Sequence, residues 1–468
     1  MDLTDEIAKL RSDLDGRVIV PGDPDYDEAR SVFVGDVDRH PAAVARVAHA
    51  ADVASVVSFA RNTGVELAVR SGGHSGAGHC TSEGGIVLDL RDMRELEIDV
   101  EGRTAWAETG LTAAEYTTAV GAHGLATGFG DTGSVGLGGI TLGGGVGFLA
   151  RKHGMTIDDL LAAEIVTADG RVRLVDEEHE PDLFWAIRGG GGNFGVATRF
   201  RFRLHEVGTV VGGMLFLPAT PDVVAGFIAE AEAAPEELST IANVMVAPPM
   251  PFLPEEAQGA PIVMAMMVYA GDVEAGERAV APFRALATPL ADMLRPMPYP
   301  EMYPPDEEEY HPVAANHTGF VDTIGRAEAE TILEHLESST ASLRVAQLRV
   351  LGGAMARVPV DATAFAHRTQ RIMVNVAAFI DGEERRPTTE AWVAALAAAL
   401  GQGDPAAYVN FLVDEGEGRV RDAYPAATFE RLAQIKAEYD PTNLFRMNQN
   451  IPPSPEQRAR SRTQGRST

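Results

Sequence analysis

The residues of this chain best suited to chemistry lie in two glycine-rich runs. The first is Val69-Arg70-Ser71-Gly72-Gly73-His74-Ser75. The second is Gly133-Ser134-Val135-Gly136-Leu137-Gly138-Gly139-Ile140-Thr141-Leu142-Gly143-Gly144-Gly145-Val146-Gly147. Glycine lets a backbone approach a ligand closely and turn its N–H groups toward negative charge. Two such runs, one carrying an imidazole, point to a large phosphate-bearing cofactor held by main chain with His74 beside it. Two stretches, 145–150 and 190–195, also fit dinucleotide-loop patterns. Neither directly follows a strand and opens a βαβ unit, as that fingerprint requires, so they do not carry a nicotinamide reading.

The elements that must position these runs can be read coarsely. Apolar spacing predicts helix over 41–50 and again over 54–61, and residues 64–70 alternate as a strand leading into the first run. Residues 85–90 and 162–170 read as strands, the second closed by an Asp169-Gly170 turn with 171–175 returning. The middle, 206–405, holds apolar runs at 210–217, 262–269 and 344–351 separated by helical stretches such as 273–283. That pattern predicts an antiparallel sheet with helices on one face. Residues 298–310 form a Pro-rich acidic loop. Residues 428–439 read as an amphipathic helix stopped by Asp440-Pro441, and the polar tail 454–468 is expected to be disordered.

At 468 residues the chain is long enough for two or three domains, and 45% hydrophobic residues suffice for a core. The net charge of −29 argues against nucleic acid or an anionic membrane as partner. The single cysteine, Cys80, allows no intrachain disulfide. The first residues lack a basic and apolar leader, and no stretch reaches membrane-span length. A cytoplasmic location is therefore expected. No metal-ligand pattern is found, and the oligomeric state is not legible.

Five segments in order, 70–75, 133–147, 156–170, 183–198 and 439–453, resemble the berberine-bridge-enzyme-like branch of the vanillyl-alcohol-oxidase superfamily. The likeness runs from about residue 15 to 453. It implies an α+β, two-domain p-cresol-methylhydroxylase-type FAD-binding fold. The FAD domain would be split between 1–205 and 406–453, with an inserted antiparallel-sheet-plus-helices substrate domain at 206–405. It also implies an FAD-dependent oxidase. Hydride would pass from a substrate C–H to flavin N5 and the electrons then to O2, giving H2O2.

The resemblance further implies roles for single residues. His74 matches the family histidine that bonds covalently to the flavin. Arg70, Ser71, Gly72, Gly73 and Ser75 would cradle the pyrophosphate. Thr132, Gly133, Ser134, Gly136, Gly138, Gly139, Gly143, Gly144 and Gly145 would wrap it from the other side, with Gly195, Val196, Asn448 and Asn450 completing the site. Val135 matches a position where a small side chain admits O2. Asn410 is expected to face the flavin and orient substrate.

Two departures from the family pattern matter. The position of a second, cysteinyl link is Thr132, whose hydroxyl cannot form a thioether, so attachment through His74 only is expected, as in 6-hydroxy-D-nicotine oxidase. The last residue of Tyr408-Val-Asn-Phe411 is a tyrosine base in many relatives; Phe411 accepts no proton. Tyr408, Tyr310 and His367 are then candidate bases, in that order. Oxidation of an alcohol needs such a base; oxidation of a neutral amine does not. A carbohydrate or secondary-metabolite alcohol is the first substrate class expected from the branch, an amine or N-heterocycle the second. A non-catalytic flavoprotein and a dehydrogenase with another electron acceptor are the remaining alternatives.

Overall fold

The computed structural model describes residues 3–304, 310–403 and 405–455. Most of the tail expected to be disordered, and the centre of the acidic loop, lie outside the described residues.

A four-stranded sheet comes first, in the order Arg17–Ile19, Ala43–Arg46, Ile86–Asp89, Leu67–Arg70. The last three strands run parallel. The helix Ala50–Thr63 packs on it through Val53, Val56, Val57 and Ala60, the spacing of one helical face. It is capped by the His49 ring, which accepts the Asp52 N–H, and ended by Gly64 in the left-handed region. Here the sequence expectation of helix over 41–50 is corrected. Ala43, Val44 and Ala45 are fully buried in a parallel strand. A strand covered on both faces loses its polar alternation, and a short apolar run then looks helical.

A five-stranded antiparallel sheet follows, ordered Leu96–Asp99, Thr104–Glu108, Val196–Arg203, Leu160–Val166, Val172–Val175. Its core takes in Ala407, Val409, Leu412, Leu432, Ile435 and Ile451 from the far end of the chain. The C-terminal helix Ala426–Tyr439 thus folds back onto the first half of the molecule.

The middle of the chain forms an eight-stranded antiparallel sheet. Its main path is Ala291–Asp292, Thr209–Pro218, Pro261–Tyr269, Leu238–Val246, Arg344–Val350, Ile372–Phe379, Ala314–Val321, with Arg295–Pro298 also pairing to the first long strand. The helices Pro221–Ala233, Arg326–Ser338 and Arg386–Leu400 supply Val224, Phe227, Ile332, Leu336, Val393 and Leu396 to one core on this sheet. That matches the antiparallel sheet with helices expected for this region. Asn316 and Asn375, on two adjacent strands, line a cavity shared with both glycine-rich runs. No described helix is long and apolar enough to cross a membrane.

Candidate active site

The strand Leu67–Arg70 delivers the first glycine-rich run to the carboxyl end of the parallel sheet, where open α/β sheets place ligands. The two runs meet backbone to backbone. A Cβ on Gly72 would lie 2.3 Å from the Gly136 nitrogen, and one on Gly136 would lie 2.2 Å from the Gly72 nitrogen. Only glycine at both positions permits that approach. The Ser71 hydroxyl donates to the Thr109 carbonyl and accepts the Gly138 N–H at 3.2 Å, tying the runs together. The N–H groups of Ser71, Gly72 and Gly73 have no backbone acceptor among the described residues, whereas the Ser75 N–H is directed at the Cys80 thiol. The His74 ring stacks on Phe33 with centroids 4.1 Å apart.

Arg70 holds this loop from below rather than facing a ligand in the main cavity. Its side chain is buried, donates to Asp89 at 2.7 Å and to the carbonyls of Ser31 and Ala29, and is completed by Arg91 and Arg46 around the same carboxylate. Burial would raise the Asp89 carboxyl, but the Arg70 and Arg91 charges outweigh it and hold the group below its ordinary value. A carboxyl lowered on folding stabilises the fold above its unfolded pKa of ~3.9 and loses that contribution as pH falls through the folded value. Asp89→Ala should therefore cost about 3–5 kcal/mol at neutral pH, since three arginines lose a buried partner. Thermal melts at pH 7 check this, and the gap between variant and wild type should close in strong acid.

Between the runs and the eight-stranded sheet lies a cavity of about 490 Å³. Ser71, Gly72, Gly73, His74, Ser75, Thr132, Val135, Gly136, Gly138, Gly139, Gly195, Val196, Tyr408, Asn410 and Asn448 all line it. So do Cys80, His79, Asn193, Asn316, Asn375, Phe411 and Gln449. His74 also borders a second cleft with Phe33, Arg70, Ser134, Tyr310 and His311.

Other expected site residues stand elsewhere. Gly143, Gly144 and Gly145 sit behind the cavity wall, where they make room for its side chains. A Cβ on Gly143 would fall 1.9 Å from Asn410 Oδ1, and one on Gly144 3.3 Å from the Tyr408 ring. Gly133 packs against Ala114 and Tyr303. Asn450 is not on the cavity wall, although its Oδ1 is buried without a partner. His367 is buried against the Ala423 carbonyl at 3.0 Å, outside this cavity, and burial lowers its pKa. Tyr310 is half exposed and belongs to the second cleft. Cys80 does reach the cavity wall, but burial pushes its thiol up, so it stays protonated.

Tyr408 is the one phenol on the wall among the described residues. Its hydroxyl accepts the Gly145 N–H at 2.8 Å and the Asn410 amide at 3.0 Å. Burial raises its pKa despite those donors. Phe411 presents its ring edge-on to Tyr408 at 5.2 Å and lies under the Arg349 guanidinium at 5.0 Å. These two donors hold the Tyr408 hydroxyl in one place on the cavity wall. Tyr408→Phe should lower kcat less than tenfold with an unchanged pH profile, whereas loss of a general base costs about 10²–10⁴-fold.

Two family models match this chain, an FAD binding domain over residues 41–176 and a berberine and berberine-like segment over 407–452. The (R)-6-hydroxynicotine oxidase of Paenarthrobacter nicotinovorans is 31% identical over 94% of this chain and 97% of its own length. The chain belongs to the berberine-bridge-enzyme-like FAD-linked oxidoreductases. Among solved structures, 6-hydroxy-D-nicotine oxidase from Arthrobacter nicotinovorans superposes with a TM-score of 0.84 at 28% identity, covering 94% of this chain and 98% of that one. A chitooligosaccharide oxidase at 21% identity shares the fold with a TM-score of 0.83, covering 96% of this chain and all of the other, 100%.

The residues present suit the FAD of this family. Three N–H groups on one loop with no backbone acceptor fit a pyrophosphate, and the glycine-lined cavity runs on to polar side chains of the sheet. Among the described residues the Asn448 Oδ1 on the cavity wall is buried without a partner, as expected of an atom that meets a bound ligand. Several organising residues escaped sequence reasoning. Lys436 is fully buried and donates to the carbonyls of Asn193 and Phe445 and to Asp440. Asp440 in turn accepts the Leu444 and Phe445 N–H groups, while Asn193 donates to Gln449 and accepts from Ile451. This network joins the Gly191–Asn193 turn to the last cavity-lining segment. The lone buried lysine four residues before Asp440, on one helix face, was the signal available.

Proposed function

We propose that this family member is an amine oxidase, with FAD attached to the chain at His74 alone and O2 as the electron acceptor. The observation that carries the amine reading is Tyr408. Its hydroxyl is taken up by Gly145 and Asn410, and the neighbouring Phe411 takes no proton. An alcohol must lose its O–H proton as hydride leaves carbon. A neutral amine instead uses its own lone pair to form the C=N bond, and the iminium product is released. Likeness to the 6-hydroxynicotine oxidase supports the same class. The alcohol reading placed first by the sequence has less support in this site.

FAD, when bound, supplies the two-electron acceptor, taking a hydride and passing both electrons to O2 to give H2O2. The chain does the rest. Ser71, Gly72 and Gly73 would offer N–H groups to the pyrophosphate. Phe33 fixes the plane of the His74 imidazole, which supports its reading as the covalent anchor, and Thr132 offers no second one. Asn410 is held by Ile140 and Tyr408, which supports its reading as an orienting group. Val135 lines the cavity with a small side chain, which supports access for O2. Val135→Leu should slow reoxidation in air severalfold and leave reduction by substrate unchanged.

The test is anaerobic mixing with secondary amines, oligosaccharides and simple alcohols. Bleaching of the visible flavin band by amines, followed by recolouring and stoichiometric peroxide when air is admitted, is expected. Bleaching without recolouring would make the protein a dehydrogenase. Bleaching by oligosaccharides alone would overturn the amine reading.

A further inference from the structure

One row of residues crosses the cavity-side face of the eight-stranded sheet in register: Asn243, Gln347, Asn375 and Thr318 on four consecutive strands. A polar row inside a sheet is costly unless each member finds a partner. The first two members do. Asn243 donates to the Met264 carbonyl at 3.2 Å and accepts from Gln347 at 3.0 Å. Gln347 accepts from Arg349, which is itself held by Asp131 at 2.7 Å. The other two members do not. Asn375 Oδ1 and the Thr318 hydroxyl are buried with no partner among the described residues, and Thr318 is fully inaccessible. Asn316, two residues before Thr318 on the same strand face, donates its amide to the Phe411 carbonyl at 3.2 Å. That bond fixes the amide's orientation and leaves Asn316 Oδ1 buried without a donor. Asn316 and Asn375 both line the cavity.

We propose that Asn316 and Asn375 form an acceptor pair that selects primary and secondary amines by their N–H. This deepens, and rests on, the amine reading above. Two amide oxygens accept hydrogen bonds but carry no charge, so they hold an amine without holding its extra proton, as a carboxylate would. A primary or secondary amine keeps an N–H for the pair after it loses that proton and becomes reactive. A tertiary amine satisfies the pair only while protonated, in the form whose lone pair is blocked. The neighbouring Gln347–Arg349–Asp131 chain is internally satisfied, so the selective end of the row is the Asn375–Thr318 end.

The experiment titrates FAD-loaded protein, without turnover in the absence of O2, with pyrrolidine, N-methylpyrrolidine and N,N-dimethylpyrrolidinium, reading perturbation of the flavin spectrum at the first instant of mixing. All three probes are cationic near pH 7 and carry two, one and no N–H. Affinity should fall along the series, by about tenfold or more between the ends, as expected for losing hydrogen bonds to a charged donor. Asn316→Leu and Asn375→Leu should flatten the series. Asn316→Asp, which keeps the size of the side chain, should tighten pyrrolidine and N-methylpyrrolidine. Equal affinity for all three probes in wild type, or no binding of any, overturns the acceptor pair while leaving the oxidase reading to the peroxide assay. Leucine variants that shift the flavin spectrum with no probe present and keep the preference assign these amides to FAD instead, and also overturn it.

Discussion

Acid precipitation of the His74→Ala protein should give a colourless pellet and a yellow supernatant, while wild type keeps its colour in the pellet. When FAD is bound, a neutral imidazole nitrogen would add to the flavin 8α carbon after that methyl has lost a proton, leaving a reduced flavin that O2 reoxidises, and His74 stands on the loop where the Ser71, Gly72 and Gly73 N–H groups have no backbone acceptor among the described residues. Its ring is held against Phe33, so little conformational entropy remains to be lost on bonding. The change is all or none, because acid dissolves every non-covalent contact and leaves a C–N bond intact. Before acid, the variant should still be yellow, since the glycine-rich runs hold the pyrophosphate independently. Cys80→Ser is the control. The Cys80 thiol lies on the same cavity wall but is kept protonated by burial, so its removal should leave the pellet yellow. Colour released from wild type by acid would end the anchor role of His74.

Amines should outpace alcohols of the same size in kcat/KM by about 10²-fold or more, the lower end of what a general base contributes. An alcohol oxidised here would have to shed its proton beside Phe411 and a Tyr408 that already accepts two hydrogen bonds. With an amine, deprotonation happens before hydride loss and needs no group of the protein. The rate should thus rise with pH along a single limb set by the substrate's own amine. Substrates of lower amine pKa should move that limb down by the same amount. Stopped-flow reduction across a pH series with two such amines checks it. A limb that stays in place when the amine is changed would belong to a protein base and would contradict this mechanism.

Much of the fold was legible because strong local signals agreed with the global arrangement. The strand before Arg70, the Asp169-Gly170 hairpin, the apolar runs of the middle region and the terminal helix all appear where periodicity places them. The helix expected over 41–50 failed for a nameable reason: an Ala-Val-Ala run carries no polar alternation, and only burial on both faces of a parallel sheet makes it a strand. The meeting of the two glycine-rich runs was legible because glycine at contact positions reports a backbone approach directly. Arg70 was the exception in that loop, since its burial against Asp89 depends on a strand nineteen residues later.

The sequence by itself determined the family, the two glycine-rich runs, the histidine within the first of them and the two departures at Thr132 and Phe411. Those are statements about residue type at a position, and type survives without coordinates. The tertiary structure alone decided which donors meet the Tyr408 oxygen, that Cys80 comes to the cavity wall, and which amide oxygens of the large sheet have no partner among the described residues. Asn243, Gln347, Asn375 and Asn316 look alike in sequence, as amide side chains within strands. Strand register pairs the first two with each other and leaves the last two facing the cavity. Hydrogen-bond satisfaction is a property of neighbours in space, and in this antiparallel sheet Asn243 and Gln347 are neighbours 104 residues apart.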